Sequence, residues 1–187
     1  MNLIPPAIDV ETLWQRTLDS EHPFEWIDGQ LKEKTPMGAK ANRVATVLAR
    51  LLDTHAAAHH LGWVFTQEGG YQCFTHEPRR VRFPDVSFVA RGRFPNDEVP
   101  DGHMAVPPDL EVEVVSPNEL AEDTEARVAD YLSAGVRLIW IIYPTTRSVY
   151  VVHRDGTAAR LTEAQELSGE DVLPGFTCPV RTLFADL

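Results

Sequence analysis

The chain has 187 residues, 43% hydrophobic and 24% charged, an ordinary globular composition that excludes a disordered or low-complexity polymer. A formal net charge of −11 works against general nucleic-acid affinity, because phosphate binding needs positive charge on the contact face. No apolar run approaches the ~20 residues that span a bilayer, and MNLIPPAIDVE lacks the basic start and apolar core of a signal peptide, so a cytoplasmic chain without membrane association is expected.

Residues 9–20 (DVETLWQRTLDS) predict a short amphipathic helix with Asp9 as its N-cap. FEWIDGQLKE reads as two strands joined at Asp28-Gly29. In ANRVATVLARLLDTHAAAHHLG, Val44, Val47, Leu48, Leu51 and Leu52 follow the stripe of a helix, with Gly62 as its stop. WVFTQ, GYQCF and VRFPDVSFVA read as strands. Arg79, Arg80 and Arg82 cluster before the core of the last, and Arg91 and Arg93 follow it; their simplest reading is a solvated basic turn. Residues 91–108 are rich in Pro, Gly and Asp and read as an exposed loop.

The strand DLEVEVV comes next. Ser116-Pro117-Asn118-Glu119 has the S-x-x-E pattern of a capping box, which predicts a helix from about there to Ala134, ended by Gly135. VRLIWIIYP is almost continuously apolar and suits a central strand covered on both faces. SVYVVH pairs back against it, and Asp155-Gly156 turns into another short strand. The pattern predicts one α/β domain over residues 1–187, a mixed central β-sheet flanked by helices, with a short N-terminal helical extension.

Side chains alternate across a strand, so DLEVEVV sends Leu110, Val112 and Val114 to one face and Glu111 and Glu113 to the other. Carboxylates are costly to bury unless paired, metal-bound or wet. Asp85 follows Pro84 on an otherwise apolar strand. If the two strands are neighbours, Asp85 and one glutamate converge at a sheet end, where they repel unless a cation joins them. All-oxygen sites suit Mg²⁺ or Mn²⁺, which activate water and stabilise charge on a phosphodiester. The alternative is that these acids sit at wet strand ends. His55 and His59 share a helix face at a spacing compatible with zinc, but no third ligand is evident and a solvated helix end is the simpler reading. Trp140 and Tyr143 read as core. Cys73 and Cys178 are far apart with no CxxC, which argues against a disulfide framework or structural zinc.

The PD of RFPDVSFVA, then PDLEVEVVSP, then ARVADYLSAGVRLIWIIYP, resemble in order and spacing the Uma2 family (DUF820) of the PD-(D/E)xK nuclease superfamily. The similarity runs from FEWIDGQLKE through SVYVV. It implies a restriction-endonuclease-like core and Mg²⁺- or Mn²⁺-dependent hydrolysis of phosphodiesters, with DNA as the partner. Carried over by position, Asp85 is the Asp of PD and Glu113 the acid of the (D/E)xK strand, both metal ligands. Glu25 matches an acid that precedes the core, and Glu111 is a neighbour without an assigned role.

The chain departs from the pattern where a lysine is expected, since Val114 and Val115 follow Glu113. The family typically carries that lysine on the next helix, one turn before a tyrosine, and Arg127 stands there, four residues before Tyr131. Arginine keeps the charge and can fork onto a phosphate, but it cannot act as a general base. The bland alternative is a surface Arg127 paired with Asp123 at i, i+4. The expected function is a metal-dependent endonuclease using Asp85, Glu113, Arg127 and Glu25. Its rival is a nuclease fold that has lost cleavage and binds nucleic acid or a protein. A hydrolase of a small phosphorylated ligand is less suited, because no glycine loop cradles phosphate. A homodimer is compatible with these readings.

Overall fold

The apolar run Leu138–Tyr143 needs cover on both sides, and the fold is arranged to provide it. The computed structural model describes residue 15 and residues 24–27, 30–33, 37–117 and 119–187. Strands β1 (Phe24–Ile27) and β2 (Gln30–Glu33) form an antiparallel hairpin. Helix α1 (Ala39–Ala58) leads into β3 (Gly62–Thr66), β4 (Val86–Ala90) and β5 (Leu110–Val114). Helix α2 (Ala121–Ala134) crosses to β6 (Leu138–Tyr143), followed by β7 (Ser148–His153) and β8 (Ala158–Thr162). A small pair, β9 (Glu166–Ser168) and β10 (Thr177–Pro179), closes the tail.

The central sheet has six strands in the order β3-β4-β5-β6-β7-β8. Only β5 and β6 run parallel, joined by the α2 crossover; every other neighbouring pair is antiparallel. One face packs on α1, where Val44, Leu48 and Leu52 join Phe88, Leu110, Val112, Trp140 and Ile142 in a continuous apolar core. The other face packs on α2, where Tyr131 joins Val89, Val136, Ile139 and Val152. The architecture is therefore the mixed α/β sheet expected, with a helix on either side. No helix among the described residues is long and apolar enough to cross a membrane.

Several boundaries differ from expectation. The helix predicted over residues 9–20 lies outside the described residues except for Gln15, which is helical, and the Asp28-Gly29 turn lies outside them too. Helix α1 ends at His59, and His60 takes the left-handed turn at φ +54 rather than Gly62. Gly62 instead opens β3, where a Cβ would come 2.1 Å from the Val89 carbonyl oxygen; it answers a close approach between strands. GYQCF is not a strand, because Tyr71 alone bridges to Arg82 and Met104. Within the loop of residues 91–108, Phe94 and Met104 are buried and pin it to the α2 face. Helix α2 begins at Ala121, later than the capping box suggests. Ser116 and Glu119 close a tight turn instead, the Glu119 N–H donating to the Ser116 carbonyl at 3.0 Å and the Ser116 N–H to the Glu119 carboxylate at 3.3 Å. Gly135 ends α2 in the left-handed conformation, φ +94, as its position suggests.

Candidate active site

Register decides where the acids go. Val86 pairs with Val112 and Ser87 with Glu111, so one step further Asp85 stands at the position opposite Glu113. The Asp85 N–H donates to the Val112 carbonyl at 3.1 Å, and its carboxylate accepts from the Val114 N–H at 2.8 Å. Leu110, Val112 and Val114 belong to the α1-side core, so alternation turns Glu111 and Glu113 toward α2, while Asp85, one residue before β4, meets them at the strand end. All three are buried, Glu111 completely. On its other side Asp85 also lines a cleft of about 360 Å³ between the start of α1 and the end of β3, with Asn42, Thr46 and Gln67 among its walls.

Helix α2 adds the cation. Its periodicity buries Tyr131 fully, with Val128 and Leu132 partly buried beside it, and Arg127 lies at the edge of that stripe. Arg127 reaches inward, its Nε 3.0 Å from Glu113 Oε2, and it also pairs with Glu119. The surface pairing with Asp123 is not formed, and Asp123 is exposed. Burial opposes the Arg127 charge, but the Glu113 and Glu25 carboxylates more than offset it and hold its pKa above the usual arginine range.

Glu111 has the least accommodating position. No described N–H or O–H reaches either of its carboxyl oxygens. Burial, then the charge of Glu113 and a proton shared with it, hold the Glu111 pKa well above the ordinary carboxyl value. Ser87, its cross-strand neighbour, bonds the Tyr71 hydroxyl at 2.7 Å, which continues the buried polar file beneath the acids. The Tyr131 hydroxyl is buried without a described partner, and burial followed by the charges of Glu111 and Glu113 pushes its pKa up.

Glu25 reaches the same corner from the β1–β2 hairpin, but it faces Arg82. Arg82 Nη1 donates to Glu25 Oε2 at 2.9 Å, and the Phe83 N–H to Glu25 Oε1 at 3.4 Å. The remaining Arg82 nitrogens turn to Asp130 on α2, Nε at 3.0 Å and Nη2 at 2.6 Å, and Arg80 pairs with Asp130 as well. The solvated basic turn is thus corrected for Arg80 and Arg82. Arg82 is only 4% exposed, because three hydrogen bonds to carboxylates replace its lost hydration. Reading residue by residue missed Asp130, Glu119 and the inward turn of Arg82. A signal for the last was present in Val81-Arg82-Phe83, a single charge between two residues that are themselves fully buried.

Other candidates stand apart. His55 and His59 stack at 4.6 Å, and His55 Nε2 lies 2.9 Å from the Pro174 carbonyl, a tie between α1 and the tail. Trp140 is core, stacked on Phe176. Among the described residues no group of three or more His, Cys, Asp or Glu side chains is placed to hold a metal ion as the site stands. Glu113 is engaged by Arg127 and Asp85 by the Val114 N–H.

The chain that folds Asp85, Glu113 and Arg127 into this corner matches a known family. The Uma2 family, described as "Putative restriction endonuclease", matches residues 10–181. This chain belongs to the Uma2 family. Among solved structures, it is similar to a protein of Anabaena variabilis described as "a putative nuclease belonging to DUF820". That match has 17% sequence identity and a TM-score of 0.78, covering 95% of this chain and 98% of the other, so the two share a fold. No curated protein matches. In this chain Arg127 already holds Glu113.

Proposed function

We propose that this protein is a cytoplasmic metal-dependent endonuclease that hydrolyses phosphodiester bonds in DNA. The observation that carries the reading is the charge balance of one buried corner. Asp85, Glu111, Glu113, Glu119, Glu25 and Asp130 outnumber Arg80, Arg82 and Arg127 two to one. Like charges gathered out of water need a cation, and the oxygen-only donor set suits Mg²⁺ or Mn²⁺. What supports an ion here is the chemistry of the donor set: both Glu111 oxygens are buried with no N–H donor among the described residues.

Asp85 and Glu113 would hold the ion, with Glu111 behind them. Bound there, it would supply an activated water and stabilise negative charge growing on the scissile phosphate. Arg127 presents a permanently charged planar fork to the phosphate and takes no proton from water. Glu25 takes its place at the rim through Arg82. DNA binding would rest on few basic contacts against an acidic chain and would therefore weaken steeply with salt.

The test incubates supercoiled and linear DNA with the protein in Mg²⁺, Mn²⁺ or EDTA, beside the Asp85→Asn variant. Cleavage that needs the metal and disappears in Asp85→Asn supports the reading, whereas cleavage unchanged in EDTA overturns it. One observation favours a second reading, a nuclease fold that binds without cutting: Arg127 already neutralises Glu113 from 3.0 Å. DNA retained by the protein without cleavage in either metal would select that reading.

A further inference from the structure

Two groups of the proposed site are carried by different elements. Asp85 precedes β4, and Arg127 rides on α2. Something must set the helix against the strand, because an error of about 1 Å between reacting groups costs roughly 100-fold in rate. The apolar residues of α2 do part of this, but Val128 and Leu132 are only partly buried. Apolar packing is non-directional and does not by itself choose one rotation of a helix.

Arg82 is directional. Its Nε and Nη2 both donate to Asp130 Oδ2, and its Nη1 donates to Glu25 Oε2. One guanidinium therefore joins three segments: the β1–β2 hairpin, the chain entering β4, and α2. On the strand side it is separated from Asp85 only by Phe83, which is fully buried, and Pro84, whose φ is locked. On the helix side Asp130 lies three residues after Arg127, on the same face one turn along. A fixed Arg82–Asp130 bond thus sets both the azimuth of α2 and the distance from the Asp85 corner to Arg127.

We infer that Arg82 is the positioning residue of this site, acting through Asp130 to hold Arg127 over Glu113. Glu25 belongs to the same clasp: its charge serves Arg82, and it acts on the site through that guanidinium. The activity arm of the test below rests on the proposed nuclease reading. The structural arm does not.

The informative variant is Asp130→Ala, because Arg82 keeps Glu25 as its counter-ion and is not left as an unpaired buried charge. The structural arm follows the Arg127 Nε–H by ¹⁵N NMR in the metal-free protein, the signal assigned by its loss in Arg127→Lys. Asp130→Ala and Arg82→Lys are expected to speed exchange of that proton by at least about tenfold. The control Arg91→Lys, a change at a side chain stacked on Trp63 away from the clasp, is expected to leave it as in the parent. Unchanged exchange in Asp130→Ala overturns the inference. Should Asp130→Ala fail to fold, the isosteric Asp130→Asn decides on the same readout.

In the activity arm, Asp130→Ala is expected to lower kcat by roughly 10- to 100-fold, the usual range for a supporting partner, with KM within about twofold. In an Arg127→Ala background the same change is expected to cost nothing further, since a residue that works through Arg127 has nothing left to position. Fully additive losses overturn the inference. If the parent cuts no DNA in either metal, the nuclease reading has failed, and the exchange of the Arg127 proton alone decides on the clasp.

Discussion

The two faces of the central sheet are built from the same strands and have opposite characters. Toward α1, β5 contributes Leu110, Val112 and Val114 to an apolar core that closes against Leu48, Trp140 and Phe176. Toward α2, the same strand contributes Glu111 and Glu113, whose neighbours are a second carboxylate, an arginine and a tyrosine hydroxyl without a partner among the described residues. The α1 face is where burial stabilises the protein, at about 1.5–3 kcal/mol for each large apolar side chain. The α2 corner consumes stability, because buried carboxylates are costly even when partly compensated. Alternation along five residues lets one strand do both, and the cost of the site is borne across the thickness of a sheet.

The largest expected effect separates function from stability on that strand. Glu113→Gln and Asp85→Asn should each reduce metal-dependent cleavage by at least ~100-fold, the scale of losing one electrostatic stabiliser of the transition state. Both should keep a cooperative unfolding transition, followed by circular dichroism. The contrast between the faces breaks if Glu113→Gln is unfolded at 25 °C.

Arg127→Ala should also reduce cleavage by at least ~100-fold, while Arg127→Lys should retain or raise it, because lysine keeps the charge and adds a titratable amine. Calorimetric titration with Mn²⁺ sharpens the point. Arg127→Ala should bind the ion no more weakly than the parent, since the side chain removed is a cation competing for Glu113. Weaker Mn²⁺ binding would mean that Arg127 organises the acids rather than opposing the ion.

On the α1 side, Leu110→Ala should lower unfolding free energy by about 2–5 kcal/mol, measured by urea denaturation. At roughly 2–4 °C per kcal/mol for a chain of this size, Tm should fall by several degrees or more, with cleavage at low temperature near that of the parent. Activity lost in proportion to Leu110→Ala's lost stability would show that the two faces are not separable.

The smallest effect is a dependence on pH in EDTA. The folded Glu111 pKa lies above its unfolded value of 4.5, so above about pH 4.5 the unfolded chain releases a proton that the folded chain keeps. Stability from this group therefore falls as pH rises from there toward the raised folded value. Glu111→Gln removes that loss. Its stability relative to the parent should be nearly level at pH 4 and grow in the variant's favour toward pH 7. A difference independent of pH would show that Glu111 is ionised in the folded protein.

Much of this was legible before any coordinates. The spacing of Val44, Val47, Leu48 and Leu52 set α1, the unbroken run of β6 marked the middle of the sheet, and Glu111 and Glu113 on one face announced the corner. The resemblance to Uma2 singled out Asp85, Glu113, Arg127 and Glu25, and the fold brings all four to one region. What stayed illegible depended on partners distant in sequence. Arg82 resembles any surface arginine until α2 brings Asp130 to it, and Gly62 resembles a helix stop until β4 passes beside it. The capping box at Ser116 failed for a local reason: Glu119 reaches back to the Ser116 N–H, but the Glu119 N–H goes to the Ser116 carbonyl, which closes a turn before the helix begins.

The clasp also has a consequence for how the protein is made. Glu25 meets Arg82 across 57 residues, and Arg82 meets Asp130 across a further 48. Synthesis runs from the N-terminus at about 5–20 residues per second, so Glu25 and Asp130 emerge roughly 5–20 s apart. For the later part of that interval the ribosome carries a chain with Asp85 already made, but without the α2 residues Arg127 and Asp130 that complete the corner. The charges that need one another most are joined late, when α2 docks, and a growing chain holds no finished site while it is still being threaded out beside the cell's own nucleic acid.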